Sequence, residues 1–244
     1  MAVKQDVDVG SGVVEFRPTA KTEVCLPLTQ PPVDALLDAR PWRTFRWYKG
    51  QQNYLGSYWS ATERRHLMYE SRNELAHLVC VDFDRSVTRI LTQPFQLQVV
   101  VNGKRRQHTP DFLLLEHGVP VVVDVTTEER ARKPKVAFLL AWTRELIESL
   151  GWRYDVLTEL DEVRRENLRF LAGYRRDWLV NPALLAELRS RVDSLAGSYI
   201  GDVHLDDVAD ALVRPVLLHM LWNQELVVDL NSILSQTTMM RAPS

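Results

Sequence analysis

The stretch RRQHTPDFLLLEHGVPVVVDVTTEER, residues 105–130, decides the fold. Its two apolar runs, "FLLL" (112–115) and "VPVVVDV" (119–125), read as strands joined by a turn at Glu116-His117-Gly118. The second run is apolar almost throughout, the mark of a central strand covered on both faces. Each run carries an aspartate in or beside it, Asp111 and Asp124. A carboxylate in such a place is costly without a partner, a metal or solvent at a sheet end. Just upstream, Asn102-Gly103 is the strongest hairpin signal in the chain, and it predicts that "PFQLQVVV" pairs with "RQHTPDFLLL" as one returning strand.

Outward from there, Ser71 with Glu74 three positions on, followed by Leu75, Leu78 and Val79, predicts a helix start and a helix. "VTRIL" (87–91) reads as a strand. Residues 133–150 carry Val136, Leu139, Leu140, Leu146, Ile147 and Leu150 on one helical stripe, with Pro134 in the first turn and Gly151 as the stop. "WRYDVLT" adds a strand. The order helix, three strands, helix, strand predicts an α/β fold, a mixed central sheet flanked by helices.

Around this core, residues 1–57 read as an N-terminal arm with short β-strands, and the aromatic-rich 42–69, with turns at Gly50 and Gly56, as antiparallel strands. Residues 58–160 form the core domain and 161–181 a connecting helix. Residues 182–244 contain helical segments around "PALLAELRSRVDSLAG", "HLDDVADAL" and "RPVLLHMLW", then "ELVVDL" and "SQTTMMR" as a hairpin. Three helices and a hairpin resemble a winged helix, which binds DNA or a protein partner.

Composition narrows the function. Among 244 residues, 45% hydrophobic, the net charge is −2, so nucleic-acid binding must rest on local basic clusters at 40–50, 103–108, 130–135 and 173–176. No apolar run approaches the roughly 20 residues of a membrane span, and the N-terminus has no apolar signal core, so a cytoplasmic protein is expected. Cys25 and Cys80 make no disulfide framework and are expected to be packed thiols. No glycine-rich phosphate loop, nucleophile elbow or dinucleotide fingerprint occurs. Asp82 and Asp84 read as turn residues, and His204, Asp206 and Asp207 as helix-start chemistry.

The candidate chemistry belongs to the acids. On adjoining strands about 4.8 Å apart, Asp111 and Asp124 can share one divalent cation, Mg²⁺ or Mn²⁺. Glu74 offers a third oxygen, with Glu70 one turn earlier as the fallback. Such a cation lowers the pKa of a bound water that can attack a phosphodiester. Asp124 and Thr126, two apart on a strand, are expected on one face, with Val125 turned into the core. Lys104, Arg105, Arg106, His108, Arg130 and Arg132 flank these acids and are expected to grip DNA phosphates without reading sequence. His108 also reads as a polar strand-entry residue.

Glu74, Pro110-Asp111 and Asp124-Val125-Thr126 resemble the motif of the PD-(D/E)xK nuclease superfamily. With "YESRNELAHLVCVDFDRSVTRILTQPFQL", "RRQHTPDFLLL" and "VVVDVTTEERARKPKVAFLLAWTRELIESLGWRYDVLTE", residues 58–159 look like the nuclease domain of the TnsA-type transposase endonucleases. The resemblance implies a restriction-endonuclease-like core, a metal-dependent endonuclease cutting at mobile-element ends, and a helical C-terminal domain that docks on a transposase or transposition regulator. One residue departs: Thr126 stands where the family pattern has a lysine. A threonine hydroxyl can hydrogen-bond but carries no charge to orient the water or stabilise the phosphate. Three outcomes stay open: Lys133, Lys135 or Arg130 supplies the charge, the fold persists without cleavage, or the site works without the ammonium. Two further readings therefore stand beside the enzyme. One is a degenerate DNA-binding or assembly module, and the other an unrelated interaction protein of a mobile element or phage.

Overall fold

The computed structural model describes residues 5–29, 31–43 and 55–243; Gly50 and most of the basic stretch 40–50 lie outside them. The chain forms two compact units, Met1–Glu159 and Leu160–Ser244. The first runs β1 (Val7–Thr19), β2 (Thr22–Pro27), α1 (Val33–Leu37), β3 (Gly56–Ser60), β4 (Arg65–Tyr69), α2 (Arg72–Phe83), β5 (Val87–Thr92), β6 (Gln96–Val101), β7 (Lys104–His108), β8 (Phe112–Glu116), β9 (Val119–Val125), α3 (Glu128–Ala131), α4 (Pro134–Glu148) and β10 (Arg153–Leu157).

These strands make two four-stranded sheets, β2-β1-β6-β7 and β10-β9-β8-β5, and the β3-β4 hairpin. All pairings are antiparallel except β9 with β10. The protein is thus mixed α/β, with antiparallel and mixed sheets flanked by helices. In the second sheet β9 is central, as its apolar run predicts, but five strands, β5 to β9, lie between α2 and α4 where three are expected, and β6 and β7 among them belong to the first sheet.

Two expectations about the strands of this unit need correction. "RQHTPDFLLL" is not one strand: β7 ends at His108 and β8 begins at Phe112, in the other sheet. Pro110 between them has no N–H to give a ladder and favours a break. The Asn102-Gly103 turn itself is as read, both residues having positive φ, 49° and 71°. Residues 7–27 are not an arm either, because β1 pairs with both β2 and β6 and completes the first sheet. Gly10-Ser11-Gly12 and a register shift between Asp8 and Val13 interrupt the alternation that Val14 and Phe16 resume as core residues.

The core of this unit joins both sheets and α4: Val14, Phe16, Leu97, Val99, Leu113, Val122, Trp142, Leu146 and Tyr154 pack in one buried cluster. Side chains of this size each contribute about 1.5–3 kcal/mol on full burial. Asp82, read as a turn residue, is instead a buried anchor on α2. It accepts from Tyr58 Oη (2.8 Å), Ser60 Oγ (2.6 Å) and the N–H groups of Ala61 and Thr62 (2.9 Å each), which fixes the β3-β4 turn. Asp84 is the turn residue, accepting from Ser86 N–H at 2.9 Å.

The second unit contains α5 (Glu162–Leu171), α6 (Pro182–Ser190), α7 (Val192–Leu195) and α8 (Asp210–Trp222). Most of "HLDDVADAL" lies outside any helix, and its end joins "RPVLLHMLW" in the single helix α8, whose Val213, Val216, Leu217, Met220 and Leu221 are buried. That burial outweighs the one ladder bond lost at Pro215. His204, read as helix-start chemistry, pairs with Asp210 at the helix start (2.8 Å). "ELVVDL" and the tail after it meet through one bridge, Val227 with Arg241, rather than a ladder. Buried Asn167 pins the intervening loop by donating to the carbonyls of Leu230 (2.9 Å) and Ser232 (2.7 Å). Cys25 is exposed rather than packed, and Cys80 half-buried. Among the described residues no helix is long and apolar enough to cross a membrane.

Candidate active site

Where β8 enters its sheet, the backbone holds Asp111 on three sides. Its N–H donates to Val123 O (3.0 Å), its carbonyl accepts from Gln93 N–H (2.7 Å), and its Oδ2 accepts the Val125 N–H (2.6 Å). The break at Pro110 is what leaves Asp111 beside the end of β9. Helix α2 is tied to the same strand ends: Asn73 Nδ2 donates to the carbonyl of Thr126 (3.0 Å), and one turn on, His77 Nε2 donates to that of Thr158. Ser71 caps α2 by accepting from Glu74 N–H (3.1 Å), and the Glu74 carboxylate reaches back to Glu70 N–H (2.8 Å), the reciprocal capping read from the sequence displaced by one residue.

Asp124 is only 4% exposed. His108 Nε2 lies 2.8 Å from each of its oxygens, and the Tyr154 hydroxyl donates to Oδ2. Trp142 stands edge-on to the His108 ring, with centroids 6.1 Å apart. Val156, not Tyr154, is the register partner of Asp124 on β10, so Tyr154 reaches it diagonally from beside Val122.

The three acids sit in one electrostatic neighbourhood. Burial, then the charges of Asp124 and Glu74, push the Asp111 carboxyl up to about 8. Burial also raises Glu74, and raises the Tyr154 hydroxyl, with Asp124 as the next cause. An acid raised by burial and by two neighbouring acids, with no ammonium or guanidinium bonded to Asp111 or Asp124 among the described residues, belongs to a hard-oxygen set that a divalent cation relieves. Each carboxylate retains lone pairs beyond the bonds named, so the donor chemistry fits Mg²⁺ or Mn²⁺. Among the described residues, however, no three His, Cys, Asp or Glu side chains are already gathered at ligating geometry. Asp111 and Asp124 carry their protein partners instead.

The remaining expected residues divide. Thr126 is buried at 8%, its N–H donating to Leu157 O (2.9 Å). Val125 is half-buried while Asp124 and Thr126 are buried, the reverse of the expectation, because the core continues on the face of Asp124 through Tyr154 and Trp142. Lys133 pairs with Glu129 (3.0 Å) and Arg132 with Glu128 (2.6 Å), both exposed; no contact joins Lys133 or Arg130 to the acids. Lys135 lines a groove with Arg105 and Arg106. His108, expected on phosphates, turns inward to Asp124. Tyr154 and Gln93 escaped the sequence reading; the signal for Tyr154 was its place on the strand after α4, parallel to the one bearing Asp124.

No protein-family model matches the chain, and a search of curated proteins finds no match.

Proposed function

We propose that the first unit is a PD-(D/E)xK-type phosphodiesterase resembling TnsA, a metal-dependent DNA endonuclease subunit that acts at mobile-element ends with a transposase or transposition-regulator partner. The observation that carries this reading is the convergence of the charges of Asp124 and Glu74 on buried Asp111 at the meeting of α2, β8 and β9, which with burial pushes its carboxyl up to about 8. In this reading the core is restriction-endonuclease-like. Asp111 and Asp124 hold Mg²⁺ or Mn²⁺, with Glu74 completing the set. The cation, when bound, supplies a water of lowered pKa.

The chain's own residues do the rest. Val125 N–H aims one oxygen of Asp111 and leaves the other to the site. His108 and Tyr154 fix the rotamer of Asp124, as partners of ligating carboxylates do. Lys104, Arg105 and Arg106 on β7 attract the phosphate backbone. The exposed Trp178 and Leu179 of the second, winged-helix-like unit suit partner docking.

One observation favours a second reading, a catalytically degenerate assembly or DNA-binding module: neither Lys133 nor Lys135 contacts the acids, and Thr126 is buried where the lysine belongs. Nicking of supercoiled plasmid with Mn²⁺, with and without EDTA, separates them. Metal-dependent nicking by the wild type that Asp124→Ala abolishes supports the enzyme. Silence from the wild type with nicking by Thr126→Lys supports the degenerate module. Nicking unchanged in Asp124→Ala refutes both assignments of the site.

A further inference from the structure

The groove between β7 and α4 is open and about 910 Å³ in volume, toward the top of the roughly 300–1,000 Å³ of small-molecule pockets. Its walls are unlike each other. From β7 come Arg105, Arg106 and Gln107; from α4 come Pro134, Lys135, Phe138 and the edge of Trp142. β7 is an edge strand, so its outer side has no neighbour in the sheet. Lys104, Arg106 and His108 alternate along it and share one face, about 6.6 Å apart. The row runs toward Asp124, which His108 contacts.

Two observations point to an anionic, partly aromatic occupant. Among the described residues most arginines pair with a carboxylate or carbonyl, but Lys104, Arg105, Arg106 and Lys135 have no acidic partner. Arg106 lies over the Phe138 ring, 5.2 Å from guanidinium carbon to centroid, and its buried Nε has no hydrogen-bond partner. A planar cation stacked on an aromatic, rimmed by free cations, is the surface on which bases stack while phosphates are held.

We propose that this groove binds a single DNA strand, with phosphates on Arg105 and Lys135 and, just beyond the groove on β7, on Lys104, and with an unpaired base stacked at Arg106–Phe138, leading the strand to Asp124. The inference rests on the phosphodiesterase reading of the adjacent acids. It assigns Lys135 to strand binding rather than to the chemistry, and it makes unpaired or frayed DNA the preferred substrate.

The test is fluorescence anisotropy of a labelled single-stranded oligonucleotide and its duplex, in EDTA over a salt series, beside the plasmid-nicking assay. Single-strand binding tighter than duplex is expected. Lys104→Ala and Lys135→Ala should each lower the slope of log affinity against log salt by about 0.7, the single-strand value per contact. Phe138→Leu, which keeps the apolar volume, should weaken binding about fivefold or more at unchanged slope. Arg106→Lys, which keeps the charge without the plane, should do the same. Binding unchanged in all four variants, tighter binding of duplex, or equal displacement by polyglutamate overturns the inference. Groove binding without any metal-dependent nicking leaves the groove assignment standing and removes the nuclease reading; Asp124-dependent nicking with unaltered strand binding in the variants does the opposite.

Discussion

His108 Nε2 lies 2.8 Å from both carboxylate oxygens of Asp124, from a strand in the other sheet. This contact links the two sheets at the candidate site and fixes the orientation of the acid set near the end of the central strand β9. His108→Ala frees that carboxylate without removing it. The Mn²⁺ concentration needed for half-maximal nicking should rise about 10- to 100-fold, the usual effect of deleting a ligand's own partner. An unchanged requirement would mean that Asp124 is not a ligand.

Asp111 makes the pH dependence of stability specific. Its folded pKa of about 8 lies above the unfolded value, so the native state binds an extra proton between the two. The stability it contributes is full below about pH 4 and is lost as pH rises through 8, by about 1.4 kcal/mol per unit across that window. Urea unfolding from about pH 5 to about pH 9 should show wild type falling relative to Asp111→Asn as pH rises. A constant difference between the two would contradict the perturbation.

His77 acts at the other end of the scale. Burial lowers its pKa despite its bond to Thr158 and the charge of Glu159. The folded ring therefore takes a proton less readily than the unfolded one, and stability is present above the ordinary histidine value and lost as pH falls below it, because the unfolded chain takes the proton first. His77→Gln should flatten the acid side of the stability profile near pH 6. Wild-type and variant profiles that stay parallel there would rule this out.

Asp82 tests the alternative use of a buried acid. Asp82→Ala leaves two backbone N–H groups and two hydroxyls of the β3-β4 hairpin without their acceptor, and should cost about 3 kcal/mol or more in denaturant unfolding. Asp82→Asn, which keeps one acceptor, should cost less. Neither should alter Mn²⁺ affinity, and a variant that did would place Asp82 in a metal site.

Much of this arrangement can be read from residues. The apolar run holding Asp124 predicts a covered central strand, Asn102-Gly103 the hairpin, Ser71 and Glu74 the start of α2, and Pro134 with Gly151 the limits of α4. The sheet to which each strand belongs is not legible, because local alternation carries no information about which distant strand pairs with it; β7 and β8 divide between two sheets at Pro110 for that reason. The acids were legible because a carboxylate in an apolar run demands an explanation. Their partners were not: His108 and Tyr154 reach Asp124 from separate strands, and only the assembled sheets bring them there. The same holds for Asp82, whose neighbours on β3 are some twenty positions away.

Everything proposed for this site depends on a divalent cation held by Asp111 and Asp124. It can be measured by calorimetric titration of the wild-type protein with Mn²⁺ in two buffers of different ionisation enthalpy. Because Asp111 is protonated near pH 7, one cation should bind with release of about one proton, and Asp111→Asn should lose that proton release together with most of the affinity. Absence of Mn²⁺ binding, or binding that Asp111→Asn and Asp124→Asn leave unchanged, would contradict the claim.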